Sequence, residues 1–259
     1  PFRRRAAGRA LDDVRPHAAI PAPIRKARLS HGGAESRARM KFLARFYGSS
    51  VGRKWLLAGS GLALAGFLVV HLSGNAFLYA DRTGAAFDAY EHSLSGAAWL
   101  PFAELALGGL FLAHIVLALT LAARNAAARP VEYSVRGRAQ RRTLGSTTMV
   151  YTGIVLLGFL VVHLCDFRIG RAFRTDGASL STQVAERLAS PLGAAIYLGG
   201  TLVLGLHLSH GVRSTLQSLG VSHPNVNPWL TRAAWAFVLV VTLGFLSFPI
   251  YFLVRSSGS

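Results

Sequence analysis

The sequence has little cysteine and few acidic residues. Cys165 is the only cysteine among 259 residues, which excludes an internal disulfide, a CxxC zinc site and a four-cysteine iron–sulfur cluster held by this chain alone. No glycine-rich phosphate loop is followed by Lys-Ser or Lys-Thr, and HExxH does not occur. Nucleotide hydrolysis and zinc-protease chemistry therefore have no support.

Charge is scarce but strongly unbalanced. Only 15% of the residues are charged, 52% are hydrophobic, and the formal net charge is +17. A basic chain usually suggests nucleic acid as the partner. Here several apolar runs exceed the roughly 18 residues that are typical of a transmembrane helix. The composition predicts a polytopic membrane protein in the lipid bilayer, with no nucleic acid partner.

Five apolar spans of membrane-crossing length follow one another along the chain. They cover residues 55–79, 101–123, 146–168, 191–212 and 233–254. Lipid requires every backbone polar group to be satisfied within the segment, so these spans are predicted to be helices. The predicted fold class is an all-α membrane protein with five transmembrane helices.

Residues 1–39 differ from the rest of the chain. They contain ten Lys and Arg and four prolines without apolar periodicity, which predicts a disordered basic extension. This extension either binds anionic lipid or has no function of its own. Met40 opens a plausible membrane-protein start, and residues 40–259 form the predicted five-helix domain.

The first and third spans contain a repeat. Residues 60–72 read SGLALAGFLVVHL and residues 152–164 read TGIVLLGFLVVHL, with GFLVVHL identical at an offset of 92. The histidines of the next spans echo this, since His114 follows His71 by 43 residues and His207 follows His163 by 44. Spans one and two are therefore predicted to be duplicated, in parallel, as spans three and four.

Four successive spans each contain a histidine, and depth pairs them. His71 and His163 lie about 25 Å from the cytoplasmic ends of their helices, whereas His114 and His207 lie about 9–15 Å from theirs. Two histidines at one depth on different helices are what bis-imidazole haem ligation requires. The sequence therefore predicts a helix bundle that binds two stacked b haems. His207 keeps the repeat spacing and is the predicted inner ligand, whereas His210, three residues later, is predicted to donate a hydrogen bond to a haem propionate or to quinone, or to be simply interfacial.

Other uses of these histidines remain open at this stage. Zinc would need three or four ligands at one depth, whereas the sequence offers two pairs at two depths. A proton-coupled transporter usually carries buried Asp or Glu and inverted repeats. The spans have almost no acids, and the repeat is parallel, so a haem-free transporter is the weaker alternative.

The chain resembles the cytochrome b subunit of succinate:quinone oxidoreductases, the family of succinate dehydrogenase and fumarate reductase, in its five-span dihaem form. The similarity runs from about Phe46 to Gly220. The stretches that carry it are, in order, SSVGRKWLLAGSG (49–61), VVHLSGN (69–75), GAAFDAYEHSL (84–94), ELALGGLFLAHI (104–115), ARPVEY (128–133), STTMVYTG (146–153) and HLSHGVRSTLQSLG (207–220).

The resemblance implies a function. The implied ligands are His71 and His163 for the distal haem, and His114 and His207 for the proximal one. The subunit would carry electrons between an iron–sulfur subunit, which accepts them from a flavoprotein that oxidises succinate, and a membrane quinone, with menaquinone favoured. It would be the membrane subunit of the enzyme (EC 1.3.5.1 type) and would not itself act on succinate. The alternative is a dihaem cytochrome b of a hydrogenase or formate dehydrogenase.

The sequence gives weaker indications of the quinone site, and no catalytic residue is identified. Ser50 and Arg53, at the cytoplasmic start of the first span, could hydrogen-bond a quinone carbonyl, although Arg53 also suits a plain interfacial anchor. Glu104, near the outer end of the second span, could exchange protons with a quinol. These three residues are the quinone and proton candidates.

The distribution of Lys and Arg predicts the topology. Segments 41–54, 124–145 and 213–232 hold 12 basic residues and one acid, against six basic residues and six acids in segments 80–100, 165–190 and 255–259. The positive-inside rule therefore places the N-terminus in the cytoplasm of a bacterial cell and the C-terminus outside its cytoplasmic membrane.

A phosphatase reporter, which is active only outside the cytoplasm, should be active when it is fused after Ser259 and inactive when it is fused within 124–145. A C-terminal reporter active only in the cytoplasm would contradict the prediction.

Overall fold

The structure is a computed structural model that describes residues 36–37, 40–41, 45, 48–127, 144–221, 223 and 225–258, with only the backbone at 144–147. The chain divides into two compact units, residues 1–43 and residues 44–259. Nearly all of the predicted 1–39 extension, and most of the basic segment 124–145, lie outside the described residues. The following account concerns the second unit.

The described part of this unit is helical throughout. Its helices are α1 (Ser50–Asn75), α2 (Ala85–Ser95), α3 (Leu100–Ala127), α4 (Leu144–Leu164), α5 (Gly170–Phe173), α6 (Leu180–Ala189), α7 (Pro191–Ser218) and α8 (Asn227–Ser257). A 3₁₀ turn, Ala76–Tyr79, extends α1. A π-helical turn, Cys165–Ile169, joins α4 to α5.

Five segments are long and apolar enough to cross a membrane, as predicted. They are Ser50–Tyr79, Leu100–Ala127, Thr148–Phe173, Pro191–Ser218 and Asn227–Ser257. The helices run several residues beyond the predicted spans, most clearly at α8, because they continue through polar residues past the apolar stretch. The all-α fold with five candidate membrane helices is confirmed.

Hydroxyl side chains define where two of the long helices begin. The Ser49 hydroxyl accepts a hydrogen bond from the Gly52 N–H at 2.8 Å, and the Ser190 hydroxyl accepts one from the Gly193 N–H at 3.1 Å. Each satisfies a backbone donor that has no partner within its helix. Pro191 follows as the first residue of α7, a position that needs no backbone N–H.

Helix α7 is the centre of the bundle. It packs against α8, α4 and α1, and α1 in turn packs against α3. The four helices that carry His71, His114, His163 and His207 are therefore connected through α1 and α7. No residue of α3 is fully buried by the rest of the described chain, although α3 packs against α1.

The two short helices α2 and α6 cover one end of the bundle. Asp88 of α2 accepts hydrogen bonds from the Ser181 backbone N–H at 2.9 Å and from the Ser181 hydroxyl at 2.7 Å, which ties α2 to α6. Burial alone would raise the pKa of Asp88, but these hydrogen bonds outweigh it and hold the pKa below its usual value. The cap over this end therefore depends on a charged carboxylate.

An apolar core joins this cap to the long helices. Its buried members are Leu78, Phe87, Val184, Leu188, Tyr197, Phe248 and Phe252. A second, smaller core lies further along α7 and α8 and comprises Leu208, Val238 and Val241. The first core encloses the end of the bundle where His71 and His163 lie, since Leu72 and Phe159 pack against it.

Two adjacent glycines of α7, Gly199 and Gly200, allow the packing of α4 against α7 to be tested. A side-chain carbon at Gly200 would overlap the Phe159 ring, whereas one at Gly199 would meet nothing within 4 Å. Gly200→Ala should therefore destabilise the folded protein in detergent by about 1–3 kcal/mol, while Gly199→Ala should be neutral or slightly stabilising. Thermal unfolding of both variants measures the difference. Equal stability of the two would show that the α4–α7 contact is looser than described.

Candidate functional site

His71 and His163 are in ring contact. His71 lies on α1 and His163 on α4, and their ring centroids are 5.7 Å apart with perpendicular planes. Metal–imidazole bonds are about 2 Å long, so two rings that share one metal ion have centroids roughly 6 Å apart. The observed separation therefore fits a centre with two imidazole ligands. We refer to these two residues as the outer pair.

Aromatic side chains surround the outer pair. Five rings lie at centroid distances of 5.4 to 6.2 Å, namely Phe67 and Phe245 beside His71, and Phe159, Phe167 and Tyr197 beside His163. The Asn75 side chain donates to the His71 backbone carbonyl at 2.7 Å and lies 3.5 Å from both ring nitrogens, the limit of a hydrogen bond. The ring nitrogens of this pair thus have weak protein partners or none among the described residues.

The glycines near the histidines do not line the outer pair. Gly66 and Gly158 each lie five residues before a histidine of that pair, which puts them about 140° around the helix from it, and both are exposed. A side-chain carbon at either position would meet nothing within 4 Å. The fit to a porphyrin held by two imidazoles rests instead on the ring separation of the outer pair and on its ring nitrogens, which have no strong protein partner among the described residues.

His114 and His207 have a different kind of partner. Nδ1 of His114, on α3, lies 3.0 Å from the Ser60 hydroxyl oxygen of α1, and Nδ1 of His207, on α7, lies 3.1 Å from the Thr152 hydroxyl oxygen of α4. Each hydroxyl also donates to the backbone carbonyl three residues earlier, at 3.0 Å in both cases. We refer to His114 and His207 as the inner pair.

The rings of the inner pair do not touch each other. His114 is within electrostatic reach of His207, but the two are not in ring contact, unlike the outer pair. A side-chain carbon at Gly61 would lie 3.3 Å from Cε1 of His114 and 3.7 Å from the Thr215 hydroxyl of α7. His114 therefore lies where α1, α3 and α7 meet, and the assignment of the inner pair to one haem stays a prediction.

His210 lies one turn further along α7. Arg213 is its charged neighbour, and the ring has no hydrogen-bond partner among the residues that the structure describes. His207 is the histidine of α7 that an inter-helix hydrogen bond holds in place, through Thr152. That His207, and not His210, is the ligand stays a prediction.

The predicted quinone residues at the start of α1 are partly enclosed. Ser50 is exposed in the first turn of α1, and Arg53 is half-buried. Nε of Arg53 is shielded from solvent and has no hydrogen-bond partner in the described part of the chain. A donor held without an acceptor is costly, so this nitrogen is suited to a ligand oxygen.

Glu104, the third quinone candidate, is engaged in an ion pair. Arg168, in the π-helical turn after α4, donates two hydrogen bonds of 3.0 Å to the two carboxylate oxygens. Such a two-point contact is stronger than a single hydrogen bond and fixes the geometry of both groups. The carboxylate is therefore not free, and it would have to leave Arg168 to take up a proton.

A polar cluster that sequence analysis did not predict is centred on Asp166, three residues after His163. The Asp166 carboxylate accepts hydrogen bonds from Arg187 at 2.8 Å and from the Tyr197 hydroxyl at 2.9 Å, while Gln183 donates to the Asp166 backbone carbonyl at 2.6 Å. The Gln183 bond satisfies a carbonyl in the π-helical turn. The cluster thus fixes the end of α4 next to the outer pair.

Ser60 and Thr152 are further site residues that sequence reasoning missed. The signal was present, because both hydroxyls open the repeated segments, eleven residues before His71 and His163. Within the described residues no group of three or more His, Cys, Asp or Glu could hold a metal ion.

Comparison with known proteins gives one family. Residues 125–246 match the family model described as the succinate dehydrogenase/fumarate reductase transmembrane subunit. The matched segment includes α4, α7 and most of α8, and with them His163, His207 and His210. No curated protein and no solved structure matches the chain.

Proposed function

We propose that the chain is the dihaem cytochrome b anchor of a succinate dehydrogenase or fumarate reductase, because residues 125–246 match the family model of their transmembrane subunits. In this role it transfers electrons between the iron–sulfur subunit and membrane quinone. The observation that carries the proposal is the contact between His71 and His163, which occupy the same position in the two copies of an internal repeat.

Two haem b groups are proposed, one for each pair. His71 and His163 are the axial ligands of the outer, distal haem, and His114 and His207 are those of the inner, proximal haem. Bound haem b supplies a one-electron couple whose potential follows from its axial ligands, hydrogen bonds and burial. Family members often bind haem b, which supports this assignment. The aromatic rings around the outer pair exclude water from the ligand bonds.

The proposed partners come from the family match. An iron–sulfur subunit is proposed as the electron partner of this chain, which has one cysteine and cannot itself hold a four-cysteine cluster. A flavoprotein subunit that acts on succinate and fumarate completes the complex. The proposed location is a bacterial cytoplasmic membrane, with the N-terminus inside and the C-terminus outside, because of the Lys and Arg distribution.

Two places are proposed for quinone, with menaquinone favoured. At the start of α1, the unpartnered Nε of Arg53 can donate to a quinone carbonyl, with the exposed Ser50 beside it. At the opposite end of the bundle, Glu104 can accept a proton once its ion pair with Arg168 opens. The first place needs no rearrangement of an ion pair and is therefore the stronger candidate.

The second candidate function is that of a dihaem cytochrome b in a hydrogenase or formate dehydrogenase. The histidine pairs suit it equally, but the family match favours the succinate or fumarate enzyme. A haem-free transporter leaves the repeated histidines without a use. Subunits that co-purify with the tagged chain separate the two redox functions, because only the first includes a flavoprotein with succinate dehydrogenase activity.

The outer pair gives the decisive test. His71→Ala and His163→Ala should each remove the same haem, because either change leaves its iron with one imidazole, and haem content should fall from about two to about one per chain. Haem quantitation and a redox titration measure this. His92→Ala, on α2 outside the five long segments, is the control and should keep both haems. Loss of different haems in the two variants would refute the pairing.

The two histidines of α7 give a second test. They are three residues apart, so about 60° separates them around the helix and only one can point at the iron. His207→Ala should abolish the low-spin signal of the inner haem in electron paramagnetic resonance, whereas His210→Ala should keep it with a modest shift. The reverse result would make His210 the ligand.

A further inference from the structure

Ser60 and Thr152 make the same two contacts in the two halves of the chain. Each hydroxyl lies on a helix that carries a histidine of the outer pair, and each contacts Nδ1 of a histidine on another helix, at 3.0 and 3.1 Å. Each also donates to the carbonyl three residues earlier, Leu57 for one and Met149 for the other. The arrangement occurs in both copies of the repeat, so it belongs to the repeated unit.

These contacts suit one state of the imidazoles. A hydroxyl has one proton to donate, and the backbone carbonyl of Leu57 or Met149 lies within reach of it. When that proton goes to the carbonyl, the hydroxyl oxygen accepts from an Nδ1–H of His114 or His207. Nε2 then keeps its lone pair. This is the tautomer that a metal-ligating histidine needs when it binds through Nε2.

The residue after each hydroxyl makes room for the ring. Gly61 follows Ser60, and a side-chain carbon there would lie 3.3 Å from Cε1 of His114, tighter than ordinary packing. Gly153 follows Thr152, and a carbon there would lie 3.6 Å from Cε1 of His207. The hydroxyl and the glycine together form one contact surface for an imidazole, and both copies of the repeat have it.

Helix geometry places each hydroxyl in line with an outer histidine. Ser60 precedes His71 by eleven residues, and Thr152 precedes His163 by the same number. Eleven residues complete three helical turns to within about 20°, with a rise of about 16 Å. The hydroxyl and the histidine therefore share one face of their helix. Each of these two helices therefore carries one histidine of the outer pair and, at the other depth, one hydroxyl that contacts a histidine of the inner pair.

We propose that Ser60 and Thr152 are positioning residues for the inner haem, which hold His114 and His207 in the Nδ1–H tautomer and in a fixed ring orientation. This inference rests on the proposed function. The hydrogen bond also makes each imidazole a stronger electron donor to iron, which stabilises the oxidised form. The outer pair lacks such a partner, so the two haems differ in the support of their ligands.

The alternative to a positioning role is that each hydroxyl only bonds a carbonyl of its own helix, as many serines and threonines in membrane helices do. Ser73 and Thr120 provide matched controls. Ser73 of α1 donates to the Val69 carbonyl at 2.9 Å and Thr120 of α3 donates to the Val116 carbonyl at 2.6 Å, and neither contacts a histidine. Ser73→Ala and Thr120→Val remove the back-bond only.

The experiment compares these controls with Ser60→Ala and Thr152→Val in the purified complex. Both test variants should raise the midpoint potential of the inner haem, shift its low-spin resonance signal, and weaken its retention about 10- to 100-fold. The outer haem should keep its potential and signal. Ser60→Thr and Thr152→Ser retain a hydroxyl and should restore near-native values. Ser60→Cys, whose sulfur is a weak acceptor, gives an intermediate shift if Ser60→Ala does not assemble.

The possible outcomes distinguish a failure of the positioning role from a failure of the proposed dihaem function. An unchanged inner haem in Ser60→Ala and Thr152→Val, or shifts equal to those of Ser73→Ala and Thr120→Val, would overturn the positioning role while leaving the dihaem function intact. A shift confined to the outer haem would also overturn it. Native complex without haem would instead refute the proposed function.

Discussion

The whole arrangement depends on how imidazole rings are accommodated between apolar helices. Each ring carries two nitrogens that need partners where no water is available, and the helix backbone supplies none. The inner rings meet this need at Nδ1 through Ser60 and Thr152, and the outer rings lie against each other within a group of aromatic side chains. The contacts of α1 with α3 and of α4 with α7 bring His114 and His207 to their hydroxyl partners, whereas the nitrogens of the outer rings have weak partners or none among the described residues.

The internal repeat accounts for the equivalent hydroxyl–imidazole contacts in the two halves of the chain. The contact from α1 to His114 and the contact from α4 to His207 join different helices, yet they use equivalent residues of the repeat. A parallel repeat keeps equivalent residues at one depth, so each copy contributes one histidine to the outer pair and one hydroxyl that contacts the inner pair. The fifth long helix, α8, has no counterpart in the repeat and closes the bundle by packing against α7.

The sequence predicted the helices better than the contacts between them. Five long apolar windows are sufficient to find five spans, whereas the helix ends depend on caps such as Ser49 and Ser190, which lie outside those windows. The outer histidine contact follows from an identical heptapeptide in two spans. The Asp166 cluster could not be predicted, because its partners Arg187 and Gln183 come from α6, a polar helix whose position is set only by tertiary packing.

The arginines near the capped end of the bundle are largely neutralised. Arg168, Arg171, Arg174 and Arg187 each bond at least one carboxylate, from Glu104, Glu91, Asp176, Glu186 and Asp166. Counting residues alone therefore overstates the free positive charge there. Four arginines at this end are matched by five carboxylates, so this end of the bundle should attract anionic lipid headgroups less strongly than its arginine count implies.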